Sequence, residues 1–147
     1  LRQLVNYDRF FGGEIPSGKQ HYLFGFAGFC LMADEAHITS LAVRESHQRR
    51  GIGELLLIAT LELAAKLKAR VITLEVRASN NAALNLYRKY GFTQVGLRPG
   101  YYIDNKEDAI MMSTENITSA PFQAHLQQLK QAHSKRWGIT RYLVPSL

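Results

Sequence analysis

The sequence predicts a mixed α/β fold (α+β), a sheet flanked by helices, and three observations predict it. Strand-like segments crowd the first third of the chain, at 2–10, 21–32 and 36–43. A strand–helix–strand–helix–strand passage follows, which calls for a layered sheet. Finally, 147 residues, 46% of them apolar, suffice for one domain with its own core.

The elements follow from local chemistry. "FGGEIPSGK" reads as a loop broken by Gly12, Gly13, Pro16 and Gly18. The aromatic-rich 21–32 and "AHITSLAV" (36–43) are separated only by Ala33, Asp34 and Glu35, so they form a hairpin. From Gly51 to Ala69 the period becomes helical. Leu55, Ile58, Leu61 and Ala65 fall on one side and Glu62 and Lys66 on the other, the pattern of an amphipathic helix. "VITLEV" (71–76) is short and β-branched, a buried type of strand. Ser79 or Asn80 can cap a second helix, 81–90, which Gly91 ends. Residues 92–97 and 108–114 read as strands joined by a loop from Arg98 to Lys106. A last helix starts near Ser119 with Pro121 in its first turn, and its apolar stripe is Phe122, Leu126, Leu129, His133 and Trp137.

Composition excludes several classes. No stretch reaches the ~18 apolar residues of a membrane span, and the N-terminus lacks a signal-peptide pattern. Cys30 is alone, which rules out an internal disulfide or a cysteine-based zinc site. It sits in "FGFAGFCLM" and is expected to be a buried thiol, consistent with a cytoplasmic protein. The five histidines show no metal-ligand spacing, and no metal is expected; His125 and His133 read as surface or packing residues of the last helix. The net charge of +6 favours an acidic ligand or partner, or is simply a solvated basic surface. No stacking platform or groove-reading helix points to direct nucleic-acid binding.

The most informative stretch is "SHQRRGIGELLL", where a strand passes through a loop into a helix. Gly51 and Gly53 lack a Cβ, so the backbone there admits a ligand closely. The first N–H groups of the helix have no intrahelical partner and lie at the positive end of its dipole, while Arg49 and Arg50 add charge. This chemistry suits a phosphate or diphosphate; a tight turn holding no ligand is the alternative. A P-loop is excluded because no Lys-Ser/Thr follows Gly53, and a dinucleotide fingerprint because position 56 is leucine.

Gln48-Arg49-Arg50-Gly51-Ile52-Gly53 resembles the acetyl-CoA motif of the GNAT N-acetyltransferases, Gln/Arg-x-x-Gly-x-Gly/Ala. A second block of that family is matched by the run from Asn80 to Tyr87 followed by Gly91-Phe92. "LEVRASN" and "YY…EDAIMM" further resemble the RimI-type branch, which acetylates ribosomal-protein alanine N-termini. The resemblance covers about residues 22–114. It implies the GNAT fold, with a mostly antiparallel central sheet, and residues 1–115 as the acetyltransferase domain. The family's first strand and two helices are missing, and the chain starts at Leu1 already in a strand, so a longer natural protein or a partial reading frame is expected. Residues 116–147 form a helical extension that either covers sheet surface or holds a partner.

The resemblance also implies roles. Glu75 matches the general base. By period-two alternation it shares a face with Thr73 and Arg77, and a carboxylate in so apolar a strand is either paired, with Arg77, or functional. Tyr87 matches the acid that returns a proton to the CoA sulfur, although a phenol near pKa ~10 facing a thiol near ~8.5 suits orienting the sulfur as well. Leu41, Ala42 and Val43 would pair with the pantetheine amides, and Gln48, Arg49, Arg50, Gly51, Ile52, Gly53 and Glu54 would hold the diphosphate. Asn80 would contact CoA, cap the helix, or both. Tyr101, Tyr102 and Glu107 would receive the acceptor peptide, Glu107 attracting its cationic terminus; exposed hairpin aromatics are the plain alternative.

The expected function is transfer of acetyl from acetyl-CoA to a protein N-terminal α-amine, on a ribosomal protein with a small first residue. At pH 7 an α-amine is ~10% neutral and a lysine ~0.04%, so a chain terminus is the easier acceptor for one modest base. Two alternatives stand: acetylation of a small amine such as an aminoglycoside or polyamine, favoured by a more acidic acceptor face, and a CoA-binding module without turnover that docks on ribosomal RNA.

Overall fold

Parallel pairing between two strands that then part company organises this structure, a computed structural model describing residues 2–6 and 24–138. The elements are β1 (Arg2–Asn6), β2 (Gly25–Met32), β3 (Glu35–Val43), a 3₁₀ turn (Glu45–His47), α1 (Ile52–Lys66), β4 (Val71–Arg77), α2 (Asn81–Lys89), β5 (Thr93–Arg98), β6 (Ala109–Ser113) and α3 (Ala120–Trp137). The sheet has six strands in the order β1-β2-β3-β4-β6-β5. Only β3 and β4 run parallel; every other pair is antiparallel, as expected of a mostly antiparallel mixed sheet. The expected strand at 7–10, the loop at 11–19 and the start of the second strand at 21–23 lie outside the described residues.

β3 and β4 pair at Glu35–Val71, Ala36–Ile72 and His37–Thr73 and no further. On the other edge of β3 the register jumps: Phe29 faces Ile38 but Gly28 faces Ser40, so Thr39 is an extra residue. A bulge of this kind bends its strand and increases local twist. Its side chain satisfies one ladder group, the Thr39 hydroxyl donating to the Gly28 carbonyl at 3.2 Å. Residues 39–43 therefore swing away from β4, and a cleft opens between the two strands.

α1 corrects the expected amphipathic helix. Ten of its fifteen residues are buried, including Leu55 through Leu61, and only Lys66 is exposed. A helix apolar on every side needs cover on every side. The sheet covers one side and α3 the other, so Glu62, expected on the outer side, is half-buried and accepts from Lys130 Nζ at 2.7 Å. α2 is the truly one-sided helix, burying Leu84 and Tyr87.

α3 starts as expected, with Ser119 accepting from the Phe122 amide and proline in the first turn. The predicted stripe is its packing face: Leu126 and His133 are buried and Phe122, Leu129 and Trp137 are half-buried. Ile117 and Leu126 belong to the same apolar cluster as the sheet and α1, so this stretch of the extension shares the core. The expected buried thiol is also corrected: Cys30 is half-buried, because Ala27 and Phe29 take the inner face of β2.

Candidate active site

The cleft between β3 and β4 has a volume of about 780 Å³. One wall is β3, through Thr39, Ser40, Leu41 and Val43; the other is β4, through Leu74, Glu75, Val76 and Arg77. Its floor is the turn into α1, and α2 closes the far side with Asn80, Ala83 and Tyr87.

The turn has the expected build. Leu55 makes the first helical hydrogen bond, its N–H to the Gly51 carbonyl at 3.0 Å, so the amides of Ile52, Gly53 and Glu54 precede the hydrogen-bonded ladder. Gly51 has φ +77° and Arg49 has φ +62°, so two residues of this loop are left-handed. The Gln48 side-chain amide ties the loop back to β3 by donating to the Val43 carbonyl at 3.3 Å. Gln48, Arg49, Gly51, Ile52, Gly53 and Glu54 line the cleft, whereas the exposed Arg50 and Ala42 stand outside its lining.

The two glycines are not equivalent, contrary to the expectation that both leave room for a ligand. A Cβ on Gly51 would lie 2.5 Å from the Trp137 indole nitrogen, so that space is filled by the end of α3. A Cβ on Gly53 would meet Val43 and Leu41 at 3.6 and 3.9 Å, ordinary contacts that alanine would also make. Trp137 and Arg136 both line the cleft. Nothing local in the sequence marks Arg136 for that place, and Trp137 was legible only as part of an apolar stripe.

Glu54 is held by its side chain. Burial would raise its carboxyl, but hydrogen bonds from Lys89 Nζ (2.8 Å) and the Tyr90 hydroxyl (2.7 Å) outweigh this and keep it below the usual range. Its contribution to a ligand is thus its backbone amide. Asn80 caps α2, its side-chain oxygen accepting from the Ala83 amide at 3.1 Å, and faces the cleft as well, so capping and lining coexist.

Glu75 projects into the cleft with its side chain 14% exposed. Its partners are His37, with Nε2 2.9 Å from Oε2, and Arg98, with Nε 3.6 Å from Oε1. The expected alternative pairing with Arg77 is not made. That guanidinium turns instead to Asp104 (3.0 Å) and Glu107 (3.4 Å) and stacks 3.9 Å over the Tyr102 ring. Tyr87 is 8% exposed and packs against Phe92, with ring centroids 5.5 Å apart. Burial pushes its phenol above the usual value, and nearby Tyr102 adds to the shift.

Of the three expected acceptor residues, Tyr102 lines the cleft, and the exposed Tyr101 stacks edge-on against it with ring centroids 5.1 Å apart. Glu107 is built into the loop. One oxygen accepts from the Ser79 amide at 2.7 Å and the other faces Arg77 and Asn105, each at 3.4 Å. The Ser79 bond is the main reason that its carboxyl is held down at about 2. With both oxygens occupied, Glu107 braces the loop over the cleft, and Glu75 is the carboxylate that faces into it.

The model of the Acetyltransferase (GNAT) family matches residues 4–92. A putative [ribosomal protein bS18]-alanine N-acetyltransferase of Bacillus subtilis is 39% identical over 94 residues, covering 64% of this chain and 62% of that protein. The [ribosomal protein bS18]-alanine N-acetyltransferase of Escherichia coli K12 is 40% identical over 90 residues, 60% of this chain and 61% of that protein. The chain thus spans about three fifths of the length of these relatives. The N-alpha-acetyltransferase RimI of Mycobacterium tuberculosis is 36% identical over 118 residues, 72% of this chain and 73% of that protein. Among solved structures, the ribosomal-protein-S18-alanine N-acetyltransferase of Escherichia coli superposes with a TM-score of 0.62 at 28% identity, over 79% of this chain and 94% of that one.

Proposed function

Because the chain belongs to the GNAT acetyltransferase family, we propose that it transfers an acetyl group from acetyl-CoA to the N-terminal α-amine of a protein, by direct transfer in a ternary complex. The observation that carries this reading is the shared cleft: the α1 turn, the free edge of β3, Glu75 and Tyr87 all open onto it. The names of the relatives support a ribosomal protein with a small first residue as the acceptor, and a cytoplasmic setting suits that substrate. Among the described residues no helix is long and apolar enough to cross a membrane.

Acetyl-CoA fits the residues present. Its diphosphate suits the Ile52, Gly53 and Glu54 amides beside Arg49, and its two amides suit the β3 edge at Leu41–Val43 that β4 leaves, where the Gln48 side chain holds the Val43 carbonyl. β3 amides there would also polarise the thioester carbonyl. Glu75 takes a proton from the acceptor amine as the C–N bond forms and the C–S bond breaks. Tyr87 lines the same cleft and would serve the departing sulfur. A buried phenol whose pKa is pushed above ~10 loses its proton to a thiolate of pKa ~8.5 only at a cost above about 2 kcal/mol, so its main part is a hydrogen bond to that thiolate. Tyr102 with Tyr101 supplies apolar surface and hydroxyls for the acceptor chain.

A small polyamine is less well served, since Glu75, the carboxylate facing the cleft, already has Arg98 beside it and Arg77 lines the same wall. The deciding experiment is thiol release from acetyl-CoA with an alanine-starting peptide. Turnover abolished by Glu75→Gln supports the proposal. Acetyl-CoA binding by calorimetry with no turnover on any peptide or amine would make the protein a binding module.

A further inference from the structure

Behind Glu75 stands a row of side chains that the proposed chemistry has not yet used. His37 Nε2 is 2.9 Å from Glu75 Oε2, and its other nitrogen, Nδ1, is 2.8 Å from the Thr73 hydroxyl oxygen. Thr73 in turn donates to Glu35 Oε1 at 2.9 Å. The register builds this row: His37 lies opposite Thr73 at the last paired position before β3 and β4 part, and Glu75 is two residues further along β4 on the same face. The row runs outward from the cleft. Glu75 is 14% exposed, His37 30% exposed, and Glu35 is at the surface.

The Thr73–Glu35 bond sets the proton count. A threonine hydroxyl has one hydrogen, and Thr73 gives it to the Glu35 carboxylate, so toward His37 it can only accept. His37 must then carry its proton on Nδ1. A neutral imidazole has a single N–H, which would leave bare Nε2 facing the oxygen of a carboxylate. Two acceptors 2.9 Å apart repel, so with this tautomer the contact calls for one further proton between them.

We propose that Glu75 and His37 act as one base sharing this proton, with His37 as a positioning residue oriented by Thr73 and Glu35. This rests on the transferase reading above. As the amine nitrogen bonds to the acetyl carbon, one N–H bond breaks and its electron pair stays on nitrogen. The proton enters the pair at the Glu75 carboxylate, so the pair carries one proton more than at rest. It returns to rest when the Glu75 carboxyl gives that proton to water in the open cleft after the product leaves, the proton shared with His37 staying in place. Other groups adjoin the pair: Arg98, 3.6 Å from Oε1; Tyr102, whose phenol the Glu75 charge helps to raise; and the Cys30 thiol, on the β2 residue directly opposite His37.

The test uses the whole chain and two independent readouts. Nitrogen-15 NMR of the histidine rings should show the His37 proton on Nδ1 whenever the ring is neutral, and Thr73→Val should abolish that preference. A neutral His37 protonated on Nε2 in the unsubstituted protein overturns the proposal whether or not any acceptor is turned over. In turnover, His37→Ala should lower kcat by about 10- to 100-fold, leave the acetyl-CoA KM within about twofold, and move the acidic limb of the pH–rate profile. Added imidazole should restore rate to His37→Ala but not to Glu75→Gln. A folded His37→Ala protein with unchanged kcat and pH profile rejects the shared base and leaves the transferase reading intact. An unsubstituted protein that turns over no acceptor rejects that reading instead.

Discussion

His133 and Gly51 are joined across the molecule, the imidazole Nε2 lying 2.8 Å from the glycine carbonyl oxygen. A carbonyl can only accept, so Nε2 carries the proton and donates. The same carbonyl accepts the first helical amide, from Leu55 at 3.0 Å, which uses both of its lone pairs. The first carbonyl of α1 is therefore anchored by a buried side chain of α3, one turn before Trp137 covers the same glycine. The extension helps to fix the turn that the donor is proposed to occupy.

Replacing His133 by alanine should destabilise the fold by about 1–3 kcal/mol, since it opens a buried space and removes a buried hydrogen bond. Denaturant titration reads the loss directly. Trp137→Ala should weaken acetyl-CoA binding more than it lowers the melting temperature, because Trp137 is half-buried and lines the cleft. Calorimetry compared with a thermal melt separates the two effects.

The two glycines of the turn should respond unequally. Gly51→Ala forces a Cβ into the Trp137 ring at a residue with φ +77°, so both stability and donor affinity should fall. Gly53→Ala meets only ordinary contacts within the protein and should melt close to the parental temperature. A Gly51→Ala protein that melts at the parental temperature would show that the indole moves aside without cost.

Glu75→Gln should lower kcat by about 100- to 10,000-fold while the affinity for acetyl-CoA stays close to that of the parent. Tyr87→Phe should have a smaller effect on kcat, as befits a hydrogen bond to the leaving sulfur. Because burial raises the Tyr87 phenol, its deprotonation should leave no limb in the rate profile below pH ~10. Rates measured across the pH range for both variants check this.

The loop braced by Glu107 should be acid-labile. Its carboxyl is held at about 2, below its unfolded value near ~4.3, so the stability it lends is complete above the unfolded value and is lost as pH falls toward 2. Urea midpoints of the parent and Glu107→Gln should therefore differ at pH 6 and converge only as pH falls below about 2. A constant difference across that range would mean that the clasp contributes nothing through its charge.

What the sequence determined by itself is local. Alternation in 71–76 placed Glu75 on the half-buried face with Thr73, Asn80 was recognisable as a helix cap, and the Gln48–Gly53 run announced a strand-to-helix turn. These signals lie within a few residues of one another, where backbone geometry and side-chain chemistry act directly. The partners were decided only in three dimensions. Proximity in sequence offers Glu75 a partner in Arg77, two residues away, but strand pairing brings His37 from 38 positions upstream and Arg98 from 23 downstream, while Asp104 and Glu107 draw Arg77 away. The opening of the cleft hangs on one extra residue in β3, Thr39, which no periodicity marks because a bulge exists only relative to the strand beside it. The burial of α1 on all sides and the seat of Trp137 on Gly51 likewise depend on where α3 docks, and a helix's own apolar stripe says that it packs without saying against what.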